Sequence, residues 1–468
     1  MAAQTPTKTL TAHCFCRTVH YKLTIPITSL PLRTHLCHCG ICRFTHGAPC
    51  VFHAPLPAGI TPQWVAPSGP HNLTSYRHTS GALSDRVFCS TCGCQIGDIW
   101  PAKPINSKED EEKEDAADNR HWTISTSIFT DHSPSNFQID KHIFTDSAPG
   151  KAGLHQLLPR ISGRDMEIYT GHFLPPNANR ILPPPPAPPQ AEFGNADGKE
   201  ERLRCECHCG GVSFTFPRPT QAILGNSELN KFVSPTDPRK WLACLDLCDD
   251  CRLLNGTHVT AWTFLPLQLL EPAVGTDLII GTSKTFESSK GVRRAFCGTC
   301  GATVFYWSED RADIVDVALG LVRASEGLFA ESWVTWRNGR VAYQESGERF
   351  DRDFAEAVAL GIKSWGLERE GEILDFQIGL LRQIAPPGDV GRYEGEWEYL
   401  RKFSADGSPV EDSVLDGMLI LALSNELAES DQRWAMFHGY ILDHSDEIGS
   451  WTWTAERLKM CVVVARNS

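Results

Sequence analysis

Cysteines recur along this chain in two parallel series, and no other feature of the sequence constrains its fold as strongly. Each series contains an early pair, a middle cluster and a late pair. The middle and late clusters of the two series are offset by 209 and 208 residues, whereas the early pairs are offset by 193. Clusters that recur in the same order indicate an internal duplication with a period of about 200 residues, and hence two domains instead of a solenoid. The two series are Cys14/Cys16, Cys37/Cys39/Cys42 and Cys89/Cys92, and Cys207/Cys209, Cys248/Cys251 and Cys297/Cys300.

The segments between the clusters predict the domain boundaries. The second copy has about sixteen extra residues before its middle cluster, and we predict that the polar stretch NSELNKFVSPTDPRKW forms a loop. An acidic run at about 101–120 predicts a solvated hairpin tip or a flexible loop, and a proline-rich run predicts a semi-rigid linker. The predicted organisation is a first cysteine-rich domain at 10–172, a linker at 173–202, a second cysteine-rich domain at 203–345 and a C-terminal extension at 346–468.

Strand patterns dominate both copies, so we predict a mainly β fold. VHYKLTI alternates apolar and polar residues, and HWTISTSIF and IVDVALGLV are β-rich runs beside turn residues. Helical periodicity occurs only later, in RDFAEAVALGIKSW and in VEDSVLDGMLILALSNEL. The extension is therefore predicted to be a mixed α/β tail. It carries no chemical motif, and we interpret its Trp434, Trp451 and Trp453 as core anchors.

Composition and charge exclude several classes of protein. The net charge of −13 argues against a general nucleic-acid binder, whose surface is normally basic. The N-terminal segment MAAQTPTKTLTAH lacks the apolar region of a secretory signal, and the longest apolar runs are too short to span a bilayer. We therefore expect a cytoplasmic protein without a membrane partner, with the nucleus as the alternative. In such a reducing compartment, clustered pairs among eighteen cysteines indicate metal ligation and not disulfides.

The spacing of the cysteines predicts two kinds of zinc site. Four thiolates make a closed, structural site, whereas three protein ligands leave one position open for chemistry. The early and late pairs of each copy would form structural sites, and the middle cluster of the first copy supplies three thiolates without an obvious fourth. The structural sets are Cys14, Cys16, Cys89 and Cys92, and Cys207, Cys209, Cys297 and Cys300; the open set is Cys37, Cys39 and Cys42.

Several residues near these clusters have plainer interpretations. His38 lies between two ligands, so we expect its side chain to point away from the metal and to face solvent. Gly47 and Gly256, each four residues after a Cys-x-x-Cys-Arg motif, are expected to permit a tight turn or a close backbone approach. Unpaired cysteines are more often small buried hydrophobes than ligands. We apply that interpretation to Cys50, Cys94, Cys205 and Cys461.

The three clusters of each copy resemble the motifs of the glutathione-dependent formaldehyde-activating family, which includes the centromere protein V-like proteins. The first copy shows HCFCRTVHY, CHCGICRFTHGA and VFCSTCG, and the second shows CHCGGVSF, DLCDDCRLLNGT and AFCGTCG. The resemblance covers about residues 10–170 and 203–345. It implies stacked small antiparallel sheets in a Mss4-like, or β-tent, arrangement. It also implies structural zinc at the outer pairs and catalytic zinc at the middle cluster.

The activity that the resemblance implies is the joining of formaldehyde to glutathione, or the reverse cleavage by a carbon–sulfur lyase. A zinc at the middle cluster could activate the glutathione thiol or polarise the aldehyde oxygen, and the sequence does not choose between these roles. Arg43 is a candidate to hold an anionic substrate. A salt bridge or hydrogen bonds that brace the ligand loop are an equally good interpretation of this arginine. The expected partners are a small glutathione-like thiol and an aldehyde; the oligomeric state is not indicated.

Two departures from the family pattern stand out. Arg17 replaces the glycine that follows the early pair, whereas Gly210 keeps it in the second copy. Asp246 stands where the first copy has Cys37, so the set Asp246, Cys248 and Cys251 is a harder and less usual zinc site. A loop shift that brings in Cys244 is the alternative. Either way, we expect the second middle site to be empty, weakly metallated or altered in substrate.

The sequence is compatible with three functions. The first is a zinc-dependent enzyme that forms or cleaves thiol–aldehyde adducts at the first copy. The second is a non-catalytic zinc scaffold that binds a protein partner, which the altered second site and the unassigned tail favour. The third, a zinc-ribbon-like nucleic-acid binder, is disfavoured by the acidic charge and the lack of an aromatic–basic stripe. The predicted cofactors are two structural zinc ions and one catalytic zinc ion, with Asp246, Cys248 and Cys251 as a fourth, compromised site.

Overall fold

A computed structural model of the chain describes residues 5–79, 82–100, 121–172, 201–371 and 373–374. All of these residues belong to one compact unit, Met1–Gly379. The acidic run at 101–120, the linker except its last residues, and the second helical pattern lie outside the described residues, as do Trp434, Trp451, Trp453 and Cys461.

The first copy is built from a hairpin followed by a larger sheet. One helix, α1 (Gly40–His46), directly follows the third strand. The strands are β1 (Thr7–His13), β2 (His20–Pro26), β3 (Leu32–Cys37), β4 (Val51–Pro55), β5 (Gln63–Trp64), β6 (Leu73–Tyr76), β7 (Asp85–Cys89), β8 (Gln95–Trp100), β9 (His121–Ser125), β10 (Phe137–Ile143), β11 (Arg160–Ile161), β12 (Arg164–Asp165) and β13 (Glu167–Ile168).

The second copy repeats this plan and adds a long helix at its end. Its helices are α2 (Gln221–Leu224), α3 (Asp249–Asn255) and α4 (Gln344–Glu370). Its strands are β14 (Arg202–Glu206), β15 (Ser213–Pro217), β16 (Trp241–Asp246), β17 (Thr260–Pro266), β18 (Ser283–Ser289), β19 (Val292–Cys297), β20 (Thr303–Ser308), β21 (Ile314–Ala318) and β22 (Val334–Trp336).

The strand order shows that the duplication extends to topology. The first sheet runs β10-β3-β4-β9-β8-β7-β6, with β13 beyond β10, and the second runs β22-β16-β17-β21-β20-β19-β18. Each strand of the second sheet therefore occupies the position of its counterpart in the first. The predicted mainly β class is confirmed, while the Mss4-like assignment stays a prediction.

The sheets differ in one respect from the small antiparallel sheets that the resemblance implied. β10 pairs with β3 in parallel, and β22 pairs with β16 in parallel. Parallel neighbours cannot be joined by a tight hairpin, and in the second copy the strands β17 to β21 lie between β16 and β22 in the chain. Each main sheet is therefore large and mixed, and it is antiparallel except at this end.

The alternating sequence patterns produce the strands that they predict. β2 alternates half-buried or exposed residues with buried ones, so that Tyr21, Leu23 and Ile25 face the core. HWTISTSIF and IVDVALGLV become β9 and β21, and each strand is followed by a 3-10 turn. The loop predicted for NSELNKFVSPTDPRKW contains a 3-10 turn at Asn230–Phe232, whose Phe232 is buried.

The first predicted helical pattern is confirmed by α4. Its apolar positions Phe354, Val358 and Ile362 are all buried, and their four-residue spacing places them on one face of the helix. Phe354 packs edge-to-face on Phe52 of the first copy, with ring centroids 5.2 Å apart. Within the described ranges, no helix combines the length and the apolar character that crossing a membrane requires.

The two copies share one hydrophobic core. The largest buried cluster includes Leu36 and Phe52 of the first copy together with many residues of the second. Equivalent backbone hydrogen bonds also cross between the copies in both directions: Phe15 N–H donates to Leu253 O at 3.1 Å, and His208 N–H donates to Phe44 O at 3.0 Å. Each early cysteine pair is thereby fastened to the middle-cluster helix of the other copy.

Candidate metal centres

The outer cysteines of the first copy converge as a tetrahedral metal site requires. The sulfur atoms of Cys14, Cys16, Cys89 and Cys92 all lie within 4.8 Å of one another. Cys14 Sγ lies 3.4 Å from Cys16 Sγ and 3.8 Å from Cys89 Sγ. Zinc bound to four sulfurs at 2.3 Å needs sulfur–sulfur distances of about 3.8 Å. The donor set and its dimensions therefore fit zinc.

The second copy assembles the same set. Cys207, Cys209, Cys297 and Cys300 also lie within 4.8 Å of one another, and Cys209 Sγ lies 3.5 Å from the sulfur atoms of Cys207 and Cys297. In both copies, a hairpin turn supplies two thiols and the turn after β7 or β19 supplies the others. These two sets could each hold a metal ion that fastens the hairpin to the main sheet.

The turn at the early pair keeps its shape despite the departure at Arg17. Arg17 adopts a left-handed conformation with φ 59°, and Gly210 adopts the same region with φ 73°. A non-glycine residue in this region costs about 1–2 kcal/mol. The first copy thus retains the metal-binding turn at a cost in stability that the second copy avoids.

The middle cluster of the first copy lies where β3 meets α1. Cys37 ends the strand, Cys39 precedes the helix and accepts a hydrogen bond from Cys42 N–H at 3.4 Å, and Cys42 lies in the first helical turn. Cys37 Sγ and Cys39 Sγ are 3.6 Å apart, and the three sulfur atoms lie within 4.8 Å of one another. Among the described residues, no fourth histidine, cysteine or carboxylate joins this group. We call these three residues the cysteine trio.

Arg86 is the cation beside the cysteine trio. Its Nη2 donates to Cys42 Sγ at 3.7 Å, and its Nε lies 4.0 Å from an oxygen of Asp98. Burial disfavours the guanidinium charge, but Cys42 and Asp98 outweigh that effect and raise the pKa of Arg86 above its ordinary value. Three thiolates around Zn²⁺ leave net negative charge, which a permanent cation at this distance compensates.

A buried histidine–aspartate pair adjoins Arg86. His53 Nδ1 lies 3.1 Å from Asp98 Oδ2, and the side chains of both residues are almost inaccessible. Burial opposes the charge of Asp98, but His53 and Arg86 outweigh burial and lower its pKa to about 2. His53 Nε2 and His46 Nε2 are buried without a hydrogen-bond partner in the described structure. A buried nitrogen without a partner requires an explanation, and a bound ligand is one such explanation.

Sequence reasoning did not select Arg86, His53 or Asp98. One signal was present for the arginine, because Arg86 and Arg294 each precede the late cysteine pair of their copy by three residues. Arg294 makes the equivalent contact, donating to Cys251 Sγ at 3.2 Å. For His53 and Asp98 no repeated signal exists, because the second copy has Trp262 and Tyr306 at the corresponding strand positions.

Arg43, the predicted substrate cation, is directed into the second copy. Only 1% of its surface is exposed, and its guanidinium donates to the carbonyl oxygens of Leu319, Gly320, Val322 and Gly327 at 2.8–3.3 Å. Arg252 reciprocates, since it donates to the carbonyl oxygen of Ser127. The bracing interpretation of Arg43 fits this geometry, and the substrate-binding interpretation does not.

The expectation that His38 faces solvent is wrong. The side chain is 1% exposed, and its Nε2 lies 2.9 Å from His142 Nδ1. His142 Nε2 donates to Leu158 O at 2.9 Å, so its Nδ1 accepts the proton of His38. Burial holds the pKa of His38 well below its ordinary value. His38 thus ties the cysteine loop to β10 and is absent from the metal-ligand group.

In the second middle site, the carboxylate that replaces a thiol is already hydrogen-bonded. Asp246 Oδ2 accepts from Trp262 Nε1 at 3.1 Å and from Cys251 Sγ at 3.3 Å, and Oδ1 accepts from Cys248 N–H at 2.7 Å. Burial, with Cys251 nearby, raises the pKa of Asp246 well above its usual value. Asp246, Cys248 and Cys251 still lie within 4.8 Å of one another. Cys244 does not join them, so the loop-shift alternative has no support here.

The remaining predictions concern single cysteines and glycines. Cys50, Cys94 and Cys205 are fully buried, and burial raises their thiol pKa values, as expected for small hydrophobes. Gly47 and Gly256 end the helices α1 and α3 in the left-handed region, with φ 64° and 68°. A Cβ on Gly47 would lie 2.1 Å from Thr303 O, and one on Gly256 would lie 2.2 Å from Gln95 O. Both glycines therefore serve a turn and a close approach between the copies.

Comparison with known proteins agrees with this geometry. The family model of the glutathione-dependent formaldehyde-activating enzyme matches residues 9–111 and 231–338. No curated protein matches the chain. The first segment contains every proposed ligand of its copy; the second begins after Cys207 and Cys209, which the structure nevertheless places beside Cys297 and Cys300. The two matched segments are consistent with two tandem copies of the glutathione-dependent formaldehyde-activating enzyme domain in this chain.

Proposed function

We propose that the protein is a zinc-dependent carbon–sulfur lyase that forms or cleaves thiol–aldehyde adducts of the S-hydroxymethylglutathione type, and that only the first copy is active. The observation that carries this proposal is the cysteine trio, in which three sulfur atoms converge and no fourth described ligand closes the site. A three-ligand zinc site is the arrangement that leaves a position for a substrate. The family match supports glutathione and an aldehyde as the substrate classes.

The chemistry requires one bond to break and one proton to move. In the cleavage direction, the carbon–sulfur bond of the adduct breaks and its electron pair goes to sulfur. The adduct hydroxyl loses its proton, and its oxygen becomes the aldehyde oxygen. When bound at the trio, zinc would supply thiol activation and Lewis acidity.

His53 is the residue that we assign to the proton. Asp98 accepts from Nδ1, so the lone pair of a neutral His53 ring is on Nε2, which has no partner in the described structure. This orientation matches that of a histidine base held by a carboxylate. In the reverse direction the same nitrogen returns the proton to the adduct oxygen. Arg86 holds Asp98 and Cys42 in a common charge network and takes no proton itself.

Turnover by matched variants tests the proposal. Cys39→Ser removes a ligand of the trio and is expected to lower the rate of adduct turnover roughly a thousandfold, because metal-ion catalysis contributes several kcal/mol. Cys248→Ser makes the same change in the second copy and is expected to leave the rate within about twofold. If wild-type protein with a full zinc complement turns over no adduct from a panel of thiols and aldehydes, the proposal fails for those substrates. A loss of rate with Cys248→Ser alone would move the active site to the second copy.

A further inference from the structure

The rim of the first middle site contains a residue from the second copy. His208 lies between the structural ligands Cys207 and Cys209, but its ring is directed at the first copy. Tyr76 Oη lies 2.8 Å from His208 Nδ1, and the ring of His78 meets that of His208 edge-to-face at 5.9 Å. The backbone N–H of His208 donates to Phe44 O, two residues after Cys42. The second copy thus reaches the helix that carries the trio.

Hydrogen bonding determines which nitrogen of each ring can donate. Arg86 Nη1 lies 3.3 Å from His78 Nδ1, and because arginine only donates, His78 carries its proton on Nε2. Tyr76 Oη and His208 Nδ1 share a hydrogen bond, and in the tautomer in which the phenol donates, which the proposal takes, His208 also carries its proton on Nε2. In the described part of the chain, no group accepts from either Nε2–H. Both rings are half-buried and can be reached by a small ligand.

The charge around this rim favours an anion. Arg86 is cationic and contacts His78 directly. Beside His208, the side chains of Arg204 and Arg323 both pair with Glu206, so two positive charges face one negative charge. Arg323 also donates to Cys207 O and lies over the ring of Phe44 at 3.4 Å. Asp98, Glu206 and the cysteine ligands are negative groups nearby, and Arg86, Arg204 and Arg323 offset their charge. The two neutral N–H donors beside these arginines are suited to a carboxylate.

The corresponding rim of the second site lacks both histidines and the tyrosine, although Arg294 corresponds to Arg86. Phe15 takes the place of His208, Phe286 that of Tyr76 and Ser288 that of His78, as the strand registers show. Phe15 and Phe286 pack edge-to-face with centroids 6.0 Å apart, and Arg294 donates to Ser288 Oγ at 3.2 Å. The same scaffold therefore presents an apolar pair at one rim and hydrogen-bond donors at the other.

We propose that His208 of the second copy, together with His78, binds a carboxylate of the thiol substrate at the first site. This inference rests on the proposed function, because it assumes that the thiol binds at the cysteine trio. Residues of both copies would then form the active site. The second copy would contribute to substrate binding even though its own middle site is altered. The role requires two hydrogen bonds and no change in protonation.

Thiol binding to the zinc-loaded full-length protein tests the proposal without requiring turnover. The probes are glutathione and its diethyl ester, which share a thiol but differ in their carboxylates, and the readout is the ratio of their dissociation constants by calorimetry. Wild type is expected to prefer glutathione. His208→Phe, which installs the second-copy residue, is expected to reduce that preference about tenfold, because a hydrogen bond to a charged group is lost. His208→Gln, which keeps a donor near the position of Nε2, is expected to recover most of it.

The matched control is Phe15→His, which changes the equivalent residue at the other rim and is expected to leave the ratio unchanged. The zinc content of each variant verifies that the neighbouring Cys207 and Cys209 still hold metal. An unchanged ratio in a fully metallated His208→Phe protein overturns the proposal, and so does wild-type protein that binds both probes equally or not at all. Protein that prefers glutathione but cleaves no adduct would instead refute the proposed enzymatic function and leave this binding assignment standing.

Discussion

The two middle sites of this protein have the same backbone but opposite chemistry. Both lie between a buried strand and a seven-residue helix that ends at a left-handed glycine, and both have an arginine that donates to the second cysteine of the Cys-x-x-Cys pair. In the first, three thiols converge and nearby histidine nitrogens are unsatisfied. In the second, the hydrogen-bonding capacity of Asp246 is used internally.

The difference extends beyond the ligand position. On the strand that follows each helix, His53 of the first copy corresponds to Trp262 of the second, and Trp262 is the residue that donates to Asp246. Asp98 corresponds to Tyr306 in the same way. A buried carboxyl group without partners would be costly, and the neighbouring changes remove that cost. In the second middle site, the carboxyl group of Asp246 is therefore hydrogen-bonded to its protein neighbours. The site differs from the first by more than the loss of one thiol.

What the two copies share is equally informative. The four-cysteine sets, the positive-φ glycines and the arginines that cross between the copies occur in both. These features hold the common core together, so their loss would damage both halves. The fold therefore depends on both copies, whereas the proposed chemistry requires the middle site of only the first.

The largest effect is expected when the ligand set of the first middle site is changed to that of the second. Cys37→Asp places a carboxylate at the ligand position but supplies no tryptophan to satisfy it. We expect adduct turnover to fall roughly a thousandfold, because the metal's contribution of several kcal/mol is lost. Asp246→Cys in the second copy is the matched control and should leave the first-copy rate unchanged. Retention of turnover by Cys37→Asp would show that three thiols are not required.

A second change tests the polar layer that distinguishes the first site. His53→Gln keeps a polar side chain of similar reach but cannot accept and return a proton. We expect kcat to fall roughly a hundredfold, as is usual when a general base is lost, while the zinc content stays the same. Trp262→Phe in the second copy is the control for a change at the equivalent strand position. A fall in zinc content that parallels the fall in kcat would instead make His53 a structural residue.

A third change tests the close backbone contacts between the two copies. Gly47→Ala would force a Cβ against Thr303 O of the other copy and strain a left-handed residue. The free energy of unfolding is expected to fall by about 3 kcal/mol. Gly256→Ala makes the equivalent contact with Gln95 O and should cost a similar amount. Chemical denaturation of both variants measures this, and a large cost at only one of the two positions would contradict the symmetric account of the interface.

The smallest expected effect concerns the turn at the early cysteine pair, where the copies differ in sequence but place their cysteines alike. Arg17→Gly relieves a left-handed conformation that Gly210 already satisfies in the second copy. We expect the free energy of unfolding to rise by about 0.5–1 kcal/mol, since relief of the strain exceeds the greater chain entropy of glycine. Gly210→Arg should cost a similar amount. Destabilisation by Arg17→Gly would mean that the arginine side chain contributes more than its backbone conformation costs.

Sequence reasoning predicted which cysteines lie together, because the duplication repeats their spacing, and spacing along a chain is a local property. It also recovered Gly47 and Gly256 as sites of close approach. It selected Arg43 and not Arg86 as the cation near the trio, because only the packing of the copies decides which arginine contacts sulfur. His38 was misplaced for a similar reason: its partner His142 lies on a distant strand. The shared core and the crossing of His208 depend on contacts between the copies, for which the sequence carries no periodic signal.

The number of zinc ions that each variant holds tests the central claim most directly. Native mass spectrometry of the wild-type chain should show three zinc ions, one for each four-cysteine set and one for the cysteine trio. Cys39→Ser should hold two, whereas Cys248→Ser should still hold three. Loss of an ion from Cys248→Ser, or no loss from Cys39→Ser, would contradict the claim that only the first copy has a metal centre at its middle site.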